Sequence, residues 1–128
     1  MSQYFSVRGK TVWNPGMSTS RVFRRGLAGF ADELGLPTGI GPMEPDDDAD
    51  VDPEVFGAYA HGLLRWYRQH VYGSDALALA DGFTTYALAL AQRAGVELDW
   101  PVEEQPWPRD QLAALRERVE TVAGQMLS

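Results

Sequence analysis

Cysteine is missing from this sequence of 128 residues. Its absence excludes disulfide bonds, thiolate zinc sites and cysteine nucleophiles. Long apolar runs are missing too, and no stretch approaches the length that a bilayer crossing requires. The first residues, MSQYFSVR, lack the basic start and apolar core of a signal peptide. We therefore expect a cytoplasmic protein that does not contact a membrane.

Lysine is scarce, and charge is unevenly spread along the chain. The net charge is −7 with a pI of about 4.7, and Lys10 is the only lysine. Residues 1–43 carry a net charge of +3, whereas residues 44–54 contain seven acids and no base. Nucleic acid rewards a broad basic surface, so we expect no nucleic-acid partner. The length and the 45% apolar content predict one globular domain, residues 1–128, with a single core.

The segment from Leu34 to Glu54 separates two helical patterns and holds most of the excess negative charge. Glycines 35, 39 and 41 and prolines 37, 42 and 45 exclude a continuous helix or a central strand. Asp52 is suited to cap the following helix, and Pro53 to occupy its first position. We interpret the segment as an ordered crossover ending in a solvated acidic loop. The candidate binding residues of this loop are Glu44, Asp46, Asp47, Asp48 and Asp50.

The acidic loop invites comparison with a calcium-binding EF-hand loop. Asp46, Asp48 and Asp50 match its first, third and fifth positions. Its sixth position, a glycine in EF-hands, is Val51, and its twelfth, a bidentate glutamate, is Gly57. We therefore favour a solvated loop over a divalent-cation site, and we expect neither a metal nor a cofactor.

The periodicity predicts an α+β fold. Alternating residues 3–8 and 11–13 around Gly9 and Lys10 predict an N-terminal β-hairpin with a type II′ turn. Apolar residues at three- and four-residue spacing predict four helices, over about 18–34, 53–72, 74–94 and 109–127. The third of these helices is the most apolar and is expected at the centre. Residues 96–100 alternate and predict a third strand beside the hairpin. The hairpin would pack on a bundle of three to four helices, with the C-terminal segment 101–128 docking on the domain or dimerising.

Some side chains could act in binding or catalysis. Arg21, Arg24 and Arg25 gather on one side of the first helix, as either an anion clamp or a solvated face. The second helix has an aromatic side that fits either a core or a small-molecule pocket. The alternative pocket would be lined by Trp13, Tyr59, Trp66, Tyr86 and Arg24. The weak catalytic candidates are His61, Tyr67 and Arg25.

Several short motifs resemble a known family. They are Tyr4-Phe5, Trp13-Asn14-Pro15, the segment from Glu33 to Met43 and Val51-Asp52-Pro53, over roughly residues 3–100. The chain resembles a family of small actinobacterial proteins catalogued only as a domain of unknown function. The resemblance implies a bacterial cytoplasmic origin and carries over no activity, cofactor or catalytic residue.

Two functions from different classes fit these observations. The first is a non-catalytic interaction protein, regulatory or immunity-like, whose acidic loop engages a basic protein partner. The alternative is a small-molecule binder or a cofactor-free acid–base enzyme, with an aromatic pocket between hairpin and helices. Both functions are compatible with a homodimer, and we favour a homodimer over a monomer.

Overall fold

The computed structural model describes residues 2–73 and 75–126. It contains a three-stranded sheet at the N-terminal end and four helices, which confirms the predicted α+β fold class. Ser74 and Leu127, at the predicted limits of two helices, lie outside the described residues. The elements in chain order are β1 (Tyr4–Val7), β2 (Lys10–Trp13), α1 (Met17–Leu34), β3 (Asp48–Asp50), α2 (Pro53–Gln69), α3 (Asp75–Arg93) and α4 (Pro106–Gln125).

The predicted hairpin is present, but its turn lies one residue earlier than expected. Strand β1 pairs antiparallel with β2, and Val7 lies opposite Lys10. Arg8 and Gly9 form the turn and have φ angles of 51° and 80°. Two consecutive positive φ angles are typical of a type I′ turn, whose twist matches that of the flanking strands.

The predicted third strand at residues 96–100 was wrong. The third strand is β3, which comes from the acidic segment and pairs parallel with β1, giving the strand order β2-β1-β3. Ala49 is fully buried beside Phe5, while Asp48 and Asp50 flank it. In contrast, the backbone N–H of Asp99 donates to Nε2 of His61 at 3.0 Å. A side chain of α2 therefore satisfies this backbone group of the 96–100 segment.

The predicted helix boundaries around the central segment are confirmed. Gly35 ends α1 in the left-handed region with φ of 67°. Asp52 caps α2, since its Oδ1 accepts from the backbone N–H groups of Glu54 at 3.0 Å and Val55 at 3.2 Å. Helix α4 starts at Pro106, earlier than predicted, and Trp107 inside it has non-helical backbone angles.

The core lies between the sheet and the helices. Phe5, Trp13 and Phe23 form an aromatic cluster with ring centroids 5.0–5.8 Å apart. Helix α3 contacts α1, α2, α4 and β2, which confirms its predicted central position. The apolar side of α4 is buried, including Leu115 and Val119, and α4 packs against α3. Among the described helices, none has the length and apolar character to cross a bilayer.

Candidate functional site

The acidic segment is held in a fixed shape by backbone hydrogen bonds. The N–H of Asp47 donates to the carbonyl of Glu44 at 2.8 Å, and the N–H of Glu44 donates to the carbonyl of Asp48 at 2.9 Å. Asp47 has φ of 60°, a left-handed angle that aspartate tolerates better than most residues. The N–H of Gly41 donates to the carbonyl of Asp50 at 2.9 Å. The loop therefore folds back on β3 and covers the side of this strand that β1 leaves open.

This arrangement brings the predicted acidic residues to one surface. We call Glu44, Asp46, Asp47, Asp48 and Asp50 the acidic face. All except Asp47 line one open depression of about 480 Å³, and Asp47 lies in the turn beside it. Oγ of Ser6 donates to Oδ1 of Asp48 at 2.7 Å, which anchors that carboxylate to β1. No residue of the acidic face forms an ion pair within the part of the chain that the structure describes. Contact with the described basic side chains therefore does not compensate its negative charge.

The acidic face differs in geometry from an EF-hand loop. Residues 48–50, which would be its third to fifth positions, are a β-strand paired with β1. Across residues 2–73 and 75–126, no three histidine, aspartate or glutamate side chains are grouped so as to hold a metal ion.

An aromatic groove lies between α1 and α3. It consists of two depressions of about 770 and 390 Å³ that share Gly26, and we call it the α1/α3 groove. Trp13, Tyr86 and Arg25 line its larger end, and Trp66 lines its smaller end. Three of the five predicted pocket residues therefore line the groove, although they lie at its two ends.

The other two predicted pocket residues lie elsewhere. Tyr59 is fully buried, and its hydroxyl donates to the carbonyl of Leu27 at 3.0 Å. Burial raises the pKa of Tyr59 well above its ordinary value, so this phenol stays protonated. Nη2 of Arg24 donates to Oε1 of Gln3 at 3.3 Å, which ties α1 to the segment before β1. Both side chains hold the fold together.

His61 is engaged by backbone groups on both ring nitrogens. Nδ1 lies 2.9 Å from the carbonyl of Gly57, and Nε2 accepts from Asp99. Only a neutral ring with its proton on Nδ1 satisfies both contacts. His61 therefore fastens the 96–100 segment to α2, and neither nitrogen is free to transfer a proton in this conformation.

Tyr67 belongs to a polar cluster between α2, α3 and α4. Its hydroxyl donates to Oδ1 of Asp81 at 3.0 Å, and Nη2 of Arg118 donates to the same oxygen at 2.6 Å. Burial, and then the hydrogen bond with Asp81, raise the pKa of Tyr67, while Arg118 opposes the rise. The phenol is therefore a hydrogen-bond donor here. His61 and Tyr67 hydrogen-bond to different neighbours and Arg25 lines the α1/α3 groove, so the three residues do not form a shared acid–base site.

The groove also contains residues that the sequence interpretation did not single out. Val22 and Leu79 are 66% and 89% exposed on its two sides, and Phe83 lies at its base. Gly29 and Gly82 line the groove from α1 and α3. Glycine inside a helix is unfavourable, so these two glycines were a signal in the sequence that these helix faces have a special role.

Comparison with known families places the whole chain in one of them. A model described as a family of unknown function, DUF6086, matches residues 1–128. No curated protein and no solved structure matches the chain. The chain therefore belongs to the DUF6086 family, and the family match includes α4, which the resemblance over residues 3–100 left out.

Proposed function

We propose that this member of the DUF6086 family is a non-catalytic interaction protein whose acidic face binds a basic protein partner. The observation that carries the proposal is the fixed cluster of carboxylates on β3 and the turn before it, none of which forms an ion pair with a described residue. A cluster of one sign raises the local concentration of oppositely charged partners and can increase association rates tenfold or more. This is the behaviour expected of a regulatory or immunity-like protein, and the proposal assigns it to the bacterial cytoplasm, as the sequence predicts.

The acidic face also has a neighbour that suits recognition. Tyr4 lies opposite Asp48 in the pairing of β1 with β3, and its side chain is 37% exposed. Tyrosine is enriched at the energetic centres of interfaces, because a rigid ring offers a large contact area with one polar tip. An exposed tyrosine beside carboxylates could receive the stem and the charged end of an arginine side chain. We therefore favour an arginine-rich surface on the partner.

The alternative of a cofactor-free acid–base enzyme receives less support. An acid–base mechanism needs its groups within hydrogen-bond reach of one substrate. His61 and Tyr67 instead hydrogen-bond to separate neighbours, and Arg25 lines the α1/α3 groove. We do not propose a catalytic residue.

The test is affinity capture from the native host with three baits, read by quantitative mass spectrometry. The first bait is the wild-type protein and the second carries Glu44→Gln, Asp46→Asn and Asp50→Asn. These three side chains are exposed, and none of them forms a side-chain hydrogen bond with another described residue that the changes would remove. The third bait is a matched control with Glu97→Gln, Glu104→Gln and Glu117→Gln, which removes the same charge from other exposed positions.

A basic protein captured by the wild type and the control, but reduced about tenfold with the second bait, would support the proposal. Equal capture by all three baits would contradict it, because the partner would then bind elsewhere. Equal loss with the second and third baits would also contradict it, because net charge alone would then explain the capture.

A further inference from the structure

The α1/α3 groove exposes several apolar side chains that lie close to one another. Val22 and Leu79 project from α1 and α3, and Tyr86 is 40% exposed at the larger end. Phe83 lies deeper and stacks on Phe30 with centroids 5.2 Å apart. Single exposed apolar residues need no explanation, but a contiguous apolar groove on a water-facing surface marks a contact site.

Two glycines in the groove have room for a larger side chain among the described residues. A Cβ atom added at Gly29 or at Gly82 would meet no heavy atom within 4 Å. Gly26 differs, because its added Cβ would lie 2.5 Å from Cδ1 of Phe83. Inside a helix, glycine is less favourable than alanine. Its presence at positions 29 and 82 is explained if another backbone approaches there closely.

The charges along α1 identify what that other backbone is. Arg21, Arg24 and Arg25 lie in its first half, whereas Asp32 and Glu33 lie near its end. This order is the reverse of what the helix dipole favours. It becomes favourable when a second α1 lies antiparallel to the first, because each basic half then faces an acidic half. Residues 25, 29 and 33 are four apart and share one face of the helix.

We propose that the α1/α3 groove is the interface of a two-fold homodimer in which the two α1 helices cross antiparallel near Gly29. The symmetry axis at this residue brings Arg25 of each copy to Glu33 of the other, since both lie four positions from it. Arg25 has no ion pair within the part of the chain that the structure describes. The pairing is self-complementary, as an interface around a two-fold axis must be.

The surface is large enough for a small dimer interface. Helix α1 has 18 residues, so it is about 27 Å long at 1.5 Å per residue. Two neighbouring helices about 10 Å wide offer roughly 500 Å² in projection, and more as accessible surface. Interfaces of standard size bury about 800 Å² per partner. The proposal concerns a surface distinct from the acidic face and holds whether or not that face binds a partner.

Sedimentation velocity over a concentration series up to about 100 µM tests the dimer. The variants are Leu79→Arg, Arg25→Glu, Glu33→Arg and the double variant Arg25→Glu/Glu33→Arg. Arg109→Glu on α4 is the matched control for one charge reversal. Each changed side chain is exposed, so thermal unfolding by circular dichroism should show a folded protein in every case.

We expect the wild type to form a dimer and Leu79→Arg to be a monomer. Each single charge reversal should raise the dimer dissociation constant at least tenfold. The double variant should return to within about threefold of the wild type, because the opposite charges again face each other. A wild type that stays monomeric overturns the proposal and leaves the groove to another helix or to an aromatic small molecule. A dimer that survives Leu79→Arg, or a double variant that does not recover, overturns it as well.

Discussion

The acidic face and the α1/α3 groove are both open to solvent but are built from opposite chemistry. The acidic face consists of carboxylates on a strand and a tight turn, with Tyr4 beside them. The groove consists of aromatic rings and helix glycines, with Arg25 and Glu33 at its two ends. Charge acts over a Debye length of about 8 Å in physiological salt, so the acidic face tolerates small changes of shape. Apolar contact requires close packing, so the groove does not tolerate small changes of shape.

The two surfaces therefore respond to different perturbations. Removing charge or adding salt should weaken binding of a partner to the acidic face. Adding or removing a methyl group should change self-association through the groove. The following changes separate these responses, beginning with the largest expected effect.

Gly39→Ala should have the largest effect on stability and should disrupt the acidic face. Gly39 has φ of 75°, and an added Cβ would lie 2.4 Å from the backbone nitrogen of Phe56. We expect a loss of about 2–4 kcal/mol in the free energy of unfolding, measured with urea. Gly41→Ala is the control, because its added Cβ would meet only the carbonyl oxygen of Asp50 at 3.7 Å. Equal effects of the two changes would refute the close contact between this loop and α2.

Salt should distinguish the two surfaces directly. Raising ionic strength from about 0.05 M to 0.5 M should weaken capture of the basic partner more than tenfold, because screening shortens the reach of the carboxylate field. Self-association through the groove should weaken less than capture does, because apolar contact contributes to it beside the Arg25–Glu33 ion pairs. The same salt series applied to capture and to sedimentation measures both. A groove as salt-sensitive as the acidic face would contradict the proposed difference.

Alkaline pH should lower the free energy of unfolding of the whole domain. Tyr59 and Tyr67 have pKa values raised by burial, so the folded state holds their protons to a higher pH than the unfolded state. Their contribution is complete below the unfolded pKa of about 10 and is lost as pH rises toward the folded values. Above pH 10 the free energy of unfolding should fall by up to about 1.4 kcal/mol per pH unit for each tyrosine.

Urea unfolding between pH 8 and 12 checks this dependence, with Tyr59→Phe as the comparison variant. The variant loses one hydrogen bond, about 1 kcal/mol at neutral pH, but should show a shallower alkaline decline. Parallel declines in the two proteins would contradict the assignment to Tyr59.

Gly29→Ala and Gly82→Ala should have the smallest effect on stability, and its sign is informative. Each change adds helix propensity in open space, so each should raise the free energy of unfolding by about 0.5–1 kcal/mol in a monomeric background such as Leu79→Arg. In the otherwise wild-type chain each should weaken self-association, because a methyl group added in the α1/α3 groove holds the second copy farther away. Gly26→Ala is the control and should destabilise the monomer, since its Cβ meets Phe83. Stronger self-association of the two alanine variants would contradict the close helix approach.

The sequence predicted the features that depend on local chemistry. Asp52 capped α2 as expected, and Gly35 ended α1, because caps depend on a few neighbouring residues. It failed at β3, since aspartates disfavour strands and the choice of partner for β1 depends on distant residues. Ala49 lies beside Phe5 in that pairing, and no local pattern around residue 49 revealed it.

The same distinction between local and distant residues applies to the two candidate sites. The acids were adjacent in sequence, and one short segment brought most of them to one depression. The aromatic residues were distant in sequence, and spacing did not reveal that Tyr59 would point into the core while Tyr86 faced the groove. Helix periodicity marks an apolar side without showing whether another element covers it.

Zero-length carbodiimide cross-linking of the partner complex, read by mass spectrometry, tests the central proposal most directly. The reagent joins carboxylates to amines, and Lys10 is the chain's only lysine, so few self-links obscure the result. The acidic-face proposal predicts links from Glu44, Asp46 and Asp50 to lysines that lie within or beside the partner's arginine-rich surface. Links confined to Glu97, Glu104, Glu117 or other distant carboxylates would contradict it.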